Sequence, residues 1–299
     1  MRVAFLGLGA IGEPMAARLA ASGSLIVWNR TPGRAAEFAA RHRAAVAQTP
    51  REAAAGSEAL ITCLPTSREV EAVLEGLDGV LAGAAPGLLI LDCTSGDPAA
   101  SRRIAERVAA RQIGFADAPV SGGVSGARTG SLTIMVGGDP AVFQRALPLL
   151  RPLGQRIEHV GPVGAGHALK AVNNTLLAVN LLAAGEGLAA LVKAGVPAAA
   201  AIAVLNASSG RSFVTEVLVP ERVLTGAYPQ TFRLALLDKD VGIARDFVER
   251  TGVDAPVISL VAQLMSRARA LLGERADHVE VVRLIEQQAG VEIRAENPG

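Results

Sequence analysis

A short apolar run at residues 3–6 is followed at once by Gly7-Leu8-Gly9-Ala10-Ile11-Gly12, and then by an apolar-periodic segment over 13–21. A second apolar run covers 25–28. Strand, glycine-rich turn, helix and strand in that order narrow the possible folds more than any other stretch of the chain. The three glycines permit a tight turn, a close backbone approach to a bound group, and tight packing of helix on strand. The N–H groups at the start of the helix then suit a pyrophosphate. The pattern predicts a dinucleotide site lined by Gly7, Leu8, Gly9, Ala10, Ile11 and Gly12.

The end of the second strand bears on which dinucleotide is bound. An Asp or Glu there would take the ribose 2′-hydroxyl of NAD, whereas this chain has Asn29-Arg30-Thr31. A guanidinium flanked by an amide and a hydroxyl favours the 2′-phosphate of NADP. NAD stays open as the alternative, with Arg30 then an ordinary loop arginine.

Alternation of strand and helix continues. A strand at 59–63 ends in Leu64-Pro65, and a helix follows over 67–74. A strand at 88–92 ends in Cys93-Thr94-Ser95-Gly96, and Asp97-Pro98 caps and opens a helix to 111. A strand at 113–116 leads into Asp117-Ala118-Pro119. The expected fold is α/β, a Rossmann-type, doubly wound parallel sheet. Ligands of such sheets lie beyond the carboxyl ends of the strands, which makes Leu64, Pro65, Thr94, Ser95 and the stretch after Asp117 candidates. That stretch, 120–130, combines Ser121, Gly122, Gly123, Ser125, Gly126 and Gly130. A turn of this kind gathers backbone N–H groups suited to a small carboxylate; a flexible linker is the competing reading. A helix at 141–150 and a strand at 157–160 complete a dinucleotide-binding domain over 1–161.

From 162 to 299 the pattern is helical, so an all-α domain is expected, joined through one long interdomain helix. That helix runs for about 30 residues between Gly161 and Gly195 with proline only at its start. Lys170, Asn173 and Asn174 share one face near its beginning, in surroundings of Ala, Leu and Val. Glu186, Lys193 and the asparagines argue for a core helix rather than a membrane span. Two readings of Lys170 are open: an amine that snorkels to water, or a buried one that exchanges protons near neutral pH. Of 29 basic residues only three are lysine, namely Lys170, Lys193 and Lys239. An ammonium can act as acid or base where a guanidinium cannot. Lys239, between Asp238 and Asp240, has a surface ion pair as its plainer reading.

The net charge of +1 gives no footprint for nucleic acid, and no cationic amphipathic helix points to a membrane. Cys63 and Cys93 lack metal spacing and read as buried thiols of a cytoplasmic protein. The four histidines are scattered, so no metal site is expected. Residues 2–6 read as the first strand rather than a signal peptide. The alanine-rich second domain suggests a homodimer or homotetramer.

Four segments together resemble the β-hydroxyacid dehydrogenase family: the turn at Gly7, residues 117–132 from Asp117, residues 164–174 from Gly164, and 236–240 from Leu236. The resemblance spans essentially the whole chain and points most closely to the 3-hydroxyisobutyrate branch. It implies that Lys170 is the general acid–base, that Asn174 helps hold it and the substrate, and that Ser121, Gly122 and Gly123 bind a carboxylate. It places Ser95 and Lys239 at the cofactor, with Phe232 beside them. Ile11 stands where the family usually has methionine, and Thr94-Ser95 where it usually has Ser-Thr. Residues 208–212 resemble the 3-hydroxyisobutyrate branch, which makes Arg211 a candidate substrate residue. Asn29-Arg30-Thr31 instead resembles NADP-using glyoxylate and succinic semialdehyde reductases. A non-catalytic dinucleotide-binding protein and an imine reductase are further alternatives, and Lys170 argues against both.

Overall fold

The structure is a computed structural model that describes residues 1–295. The chain forms two compact units, Met1–Lys170 and Ala171–Gly299. The first is built on a nine-stranded sheet. Its strands are β1 (Val3–Leu6), β2 (Leu25–Trp28), β3 (Ala44–Val46), β4 (Ala59–Thr62), β5 (Leu89–Asp92), β6 (Gly114–Asp117), β7 (Val120–Ser121), β8 (Leu132–Gly137) and β9 (Gly154–Gly161). They are ordered β3-β2-β1-β4-β5-β6-β8-β7, with β9 also paired to β8. The first six strands are parallel. The chain reverses between β1 and β4, and an open α/β sheet binds its ligand at such a switch point.

Strands of this kind must be apolar on both faces, and successive residues of β1 show it. Phe5 packs with Met15, Leu19, Val27 and Leu91 on one side of the sheet. Ala4 and Leu6 pack with Leu60, Ile90, Ile104 and Val108 on the other. Helices are started by local chemistry. Asp97 and Asp139 accept from the N–H groups of Ala99 and Ala141, each ahead of a proline in the first turn, where its missing N–H is not needed.

Two features differ from the sequence reading. β8 runs antiparallel to β6 and to β7, so the far edge of the sheet is mixed. The stretch after Asp117, expected to be a glycine-rich turn, forms β7 and then a helix over Gly123–Thr129. Gly122 and Gly123 supply the turn with φ of +127° and +63°. Beyond them Ser125, Ala127 and Arg128 wind readily, and Gly126 admits the close side chain of Leu132.

The second unit is helical. The Ala165–Lys193 helix begins in the first unit and contributes Leu181, Leu182 and Leu188 to the second unit's core, beside Val214, Leu218, Leu237, Val241 and Met265. Its length and mean hydropathy of 1.8 would let it cross a bilayer, but those leucines make it a core helix. It ends where Gly195 takes φ of +87° and Val196 donates back to Leu191 O. Val214–Val223 is a π-helix containing Pro220, a wide turn that sequence periodicity did not indicate. The Leu234–Thr251 helix is set by Asp277, whose carboxylate accepts from Thr231 N (2.6 Å), Phe232 N (2.9 Å) and Val279 N (3.1 Å). Burial pushes the Asp277 carboxyl up, but the adjacent His278 ring and these N–H groups outweigh it and hold the group well below the usual carboxylate range.

Asp277→Ala, which strands buried N–H donors, should therefore lower unfolding free energy by about 2–3 kcal/mol in urea titrations at pH 7. Because the folded-state value is depressed, this contribution is present above the unfolded carboxyl's value of about 4 and fades as pH falls below it. The gap between wild type and variant should narrow in the same direction.

Candidate active site

The dinucleotide turn follows from three steric facts. Gly7 has φ of +105°, and a Cβ there would lie 2.3 Å from Cys63 O. A Cβ on Gly12 would lie 2.0 Å from Gly7 O. Gly9, in contrast, has nothing within 4 Å of its Cβ position, so its backbone faces open space. The Gly12–Ser22 helix starts at Ile11 with no side chain capping it. Glu13 N is committed to Gly9 O and Pro14 has no N–H, so the amides of residues 9–12, beside the open glycine, are the ones that fit a pyrophosphate. Leu8 is buried, Ile11 half-buried and Ala10 exposed.

Asn29, at the end of β2, accepts from Leu8 N through Oδ1 (3.0 Å) and donates to Thr31 O (3.1 Å). Its amide holds the turn in shape. Arg30 and Thr31 are exposed. Sequence reasoning missed Arg34, also exposed, whose Nη1 lies 3.5 Å from Leu8 O; being one helical turn past Arg30 was the signal available. The position where an NAD enzyme carries a carboxylate holds none, so the residues present fit NADP as well as NAD.

At the neighbouring strand ends, Thr62 Oγ1 and Thr94 N both donate to Asp92 Oδ1, at 2.8 and 3.0 Å. Thr94 Oγ1 accepts from Leu64 N (3.1 Å). The Thr94 hydroxyl therefore shapes the Leu64-Pro65 turn, leaving Ser95, half-buried, as the hydroxyl nearer the surface. Cys63 and Cys93 also sit here. Burial, with the Asp92 carboxylate adding to it, pushes the Cys63 thiol up to about 12. Burial, then Cys63 and Asp92, raises Cys93 well above the ordinary thiol value.

β6 ends in Asp117, which is fully buried. Its Oδ1 accepts from Gly164 N (2.6 Å) and its Oδ2 from His167 N (2.8 Å). Burial pushes this carboxyl up; the His167 ring and the two N–H groups act against that. His167 Nδ1 is 2.7 Å from Ser101 Oγ, and its Nε2 is 3.9 Å from Asp92 Oδ2. The sequence marked Asp117 as a strand end and as the start of one segment that carries the resemblance, and gave no sign of this network. Four residues past Asp117, Ser121 is half-buried and Gly122 and Gly123 are exposed, ahead of an uncapped helix start.

Lys170 is 8% exposed and Asn174, one turn on, 4%, so the snorkelling reading of Lys170 fails. In the second unit Asn174 Nδ2 donates to Asp240 Oδ2 (2.6 Å), and Lys239 Nζ lies 3.0 Å from Asp240 Oδ1. The structure thus joins Asn174 and Lys239 through Asp240, a residue the sequence showed only as Lys239's neighbour. Phe232 is half-buried, edge-on to His278 (5.4 Å), and Arg211 is exposed in the turn before the π-helix. No group of metal-ligating side chains occurs among the described residues.

A sheet with a switch point, a glycine turn and a buried lysine together define an NAD(P)-dependent oxidoreductase. Residues 2–161 match the NAD binding domain of 6-phosphogluconate dehydrogenase, and 164–285 match the NAD-binding domain of NADP-dependent 3-hydroxyisobutyrate dehydrogenase. The chain is 35% identical over 294 residues to 2-(hydroxymethyl)glutarate dehydrogenase of Eubacterium barkeri, covering 98% of this chain and 97% of that one. It is 36% identical over 269 residues to NAD-dependent L-serine dehydrogenase of Pseudomonas aeruginosa, covering 88% of this chain and 90% of that one. Mycobacterium tuberculosis 3-hydroxyisobutyrate dehydrogenase, solved with L-serine, superposes with a TM-score of 0.87 at 33% identity, covering 95% of this chain and 98% of that one. The chain belongs to the β-hydroxyacid dehydrogenase family and is an NAD(P)-dependent dehydrogenase acting on hydroxyl donors.

The raised thiols give a direct check on the strand ends. At pH 8 neither cysteine should react with a disulfide reagent in the native protein, and both should react once guanidinium unfolds it.

Proposed function

We propose that this enzyme interconverts a short 3-hydroxy acid and its semialdehyde, with Lys170 as the general acid–base. The observation that carries the reading is the burial of Lys170 in the same compact unit as the dinucleotide turn and the Ser121–Gly123 segment. A lysine that passes between amine and ammonium has to sit out of bulk water, and this one does.

When bound, the nicotinamide cofactor supplies the hydride acceptor or donor at C4 of its ring. Gly7 and Gly12 keep the turn tight, the amides beside the open Gly9 would hold the pyrophosphate, and Arg30, with Arg34 one turn on, would meet a 2′-phosphate. Ser95 and Leu64-Pro65, at the strand ends, would hold the nicotinamide end of the cofactor, and the likeness to the family adds Phe232 and Lys239 as candidate cofactor residues. The Ser121 hydroxyl and the Gly122 and Gly123 amides fix the substrate carboxylate, with Arg211 a further substrate contact. On oxidation, the Lys170 amine takes the hydroxyl proton as the carbon gives up its hydride; on reduction, the ammonium returns that proton to the carbonyl oxygen. Asn174, anchored on Asp240, orients the reacting oxygen.

The compounds named for the relatives, 3-hydroxyisobutyrate, L-serine and 2-(hydroxymethyl)glutarate, share a hydroxymethyl group on the carbon that bears a carboxylate. That common unit is the substrate class proposed here. The guanidinium at Arg30 favours NADP, and with it a second reading as an NADPH-dependent reductase of glyoxylate or succinic semialdehyde. Initial rates with 3-hydroxyisobutyrate and L-serine, against reduction of the two aldehydes, separate the readings. The proposal also takes the enzyme as a cytoplasmic homodimer or homotetramer, which light scattering of the purified protein would check.

Lys170→Ala should lower kcat by roughly 10²–10⁴-fold while NADPH still binds; near-normal turnover would remove Lys170 from the chemistry. Arg30→Ala should raise KM for NADP on the order of tenfold and leave KM for NAD almost unchanged. Equal changes for the two cofactors would take Arg30 out of the 2′-phosphate role.

A further inference from the structure

The Ala165–Lys193 helix that carries Lys170 does not start freely. Asp117 accepts from two of its leading amides, Gly164 N and His167 N, one at each carboxylate oxygen. The same carboxylate crowds Gly166, where a Cβ would lie 2.9 Å from Asp117 Oδ2 and 2.3 Å from Met135 O. A second hold comes from the His167 ring, whose Nδ1 meets Ser101 Oγ at 2.7 Å. Gly166 and His167 precede Lys170 by four and three residues, so the gripped face of the helix is the face of the lysine. On the strand side, Asp117 is followed four residues later by Ser121 and the Gly122-Gly123 amides.

We infer that Asp117, with Ser101 acting through His167, is a positioning residue that sets Lys170 against the carboxylate-binding segment. One short stretch of chain, 117–123, both grips the start of the acid–base helix and supplies the groups taken to hold the substrate. The lysine and the substrate carboxylate are thereby referred to a single buried side chain. Proton and hydride transfer depend steeply on such placement; a displacement near 1 Å can cost about 10²-fold in rate. The inference rests on the assignment of Lys170 as the acid–base, and it adds a residue that touches neither substrate nor cofactor.

Asp117→Asn is the informative change. It keeps the volume, but an amide has one acceptor oxygen and an NH2 group, so it can satisfy only one of the two helix amides and must face the other with a donor. Ser101→Ala is the milder companion, since it releases the ring without adding a clash. Both would be made in the full chain and compared with wild type and Lys170→Ala. Melting temperature, NADPH affinity by fluorescence, kcat and KM with 3-hydroxyisobutyrate and L-serine, and the isotope effect on kcat with acid deuterated at the hydroxymethyl carbon would be measured.

For Asp117→Asn the expected result is a kcat lower on the order of 10²-fold, NADPH affinity within about threefold of wild type, and a larger isotope effect. Ser101→Ala should show the same pattern to a smaller degree, and it carries the test alone if the Asn variant does not fold. A structural role would reduce the folded fraction, and kcat with it, while leaving KM and the isotope effect where they were. That result, or wild-type kcat in whichever variants fold, overturns the inference. If Lys170→Ala keeps turnover, or the wild type oxidises neither acid, the reading of the acid–base falls first and the inference with it. An inactive Lys170→Ala beside an Asp117→Asn of normal rate and isotope effect removes the inference alone.

Discussion

A carboxylate buried at the end of β6 ties the sheet to the helix that follows it. Placing Asp117 where water does not reach is costly, and the upward push on its carboxyl records that cost. Two amides at the start of the Ala165–Lys193 helix offset it, each a short hydrogen bond at an end where four N–H groups lack partners within the helix. The exchange is mutual: the helix start needs acceptors, and the carboxylate needs donors. Gly164, with φ of +92°, and Gly166, which has no room for a Cβ, let the helix come close enough for it. The same logic recurs in the second unit, where Asp277 collects the amides ahead of the Leu234–Thr251 helix. Each unit thus has one buried aspartate fixing the entry to a helix that bears a lysine.

What could be read from the sequence was local in the chain. The turn from Gly7 to Gly12 was legible because strand, glycines and helix lie within about twenty residues, and each glycine answers to a neighbour fixed by the turn itself. The order of alternating strands and helices was legible for the same reason. Asp117 was not, because the amides it accepts from lie 47 and 50 residues away. Asp240 meets Asn174 across 66 residues and was equally hidden. The short helix Gly123–Thr129 was missed for a different reason: its glycines suggest a loop, and only the packing of Leu132 against Gly126 shows why a glycine belongs inside it.

Thr94 is a smaller instance. At the strand end it offered a second hydroxyl beside Ser95, yet its oxygen is committed to Leu64 N. With the order of the two hydroxyl residues swapped relative to the pair usual in the resemblance, a threonine stands on the buried side and a serine on the half-buried side. Composition at the pair is kept while the roles of the two positions differ.

The scarcity of lysine was the most useful compositional signal, and the structure shows how far it reaches. Arginine suits fixed roles: Arg18, for instance, ties the Gly12–Ser22 helix to the carbonyls of Pro152 and Arg128 through separate nitrogens of one planar group. Lysine has one compact charge and a proton it can give up. Lys170 is buried, as the proposed acid–base role requires, and Lys239 stands 3.0 Å from Asp240, joined through it to Asn174. Lys193 is the exception: exposed in the last turn of its helix, it donates to Ala289 O at 3.0 Å, a task an arginine could share. Rarity therefore narrows the search to three positions, and burial sets Lys170 apart from the exposed Lys193.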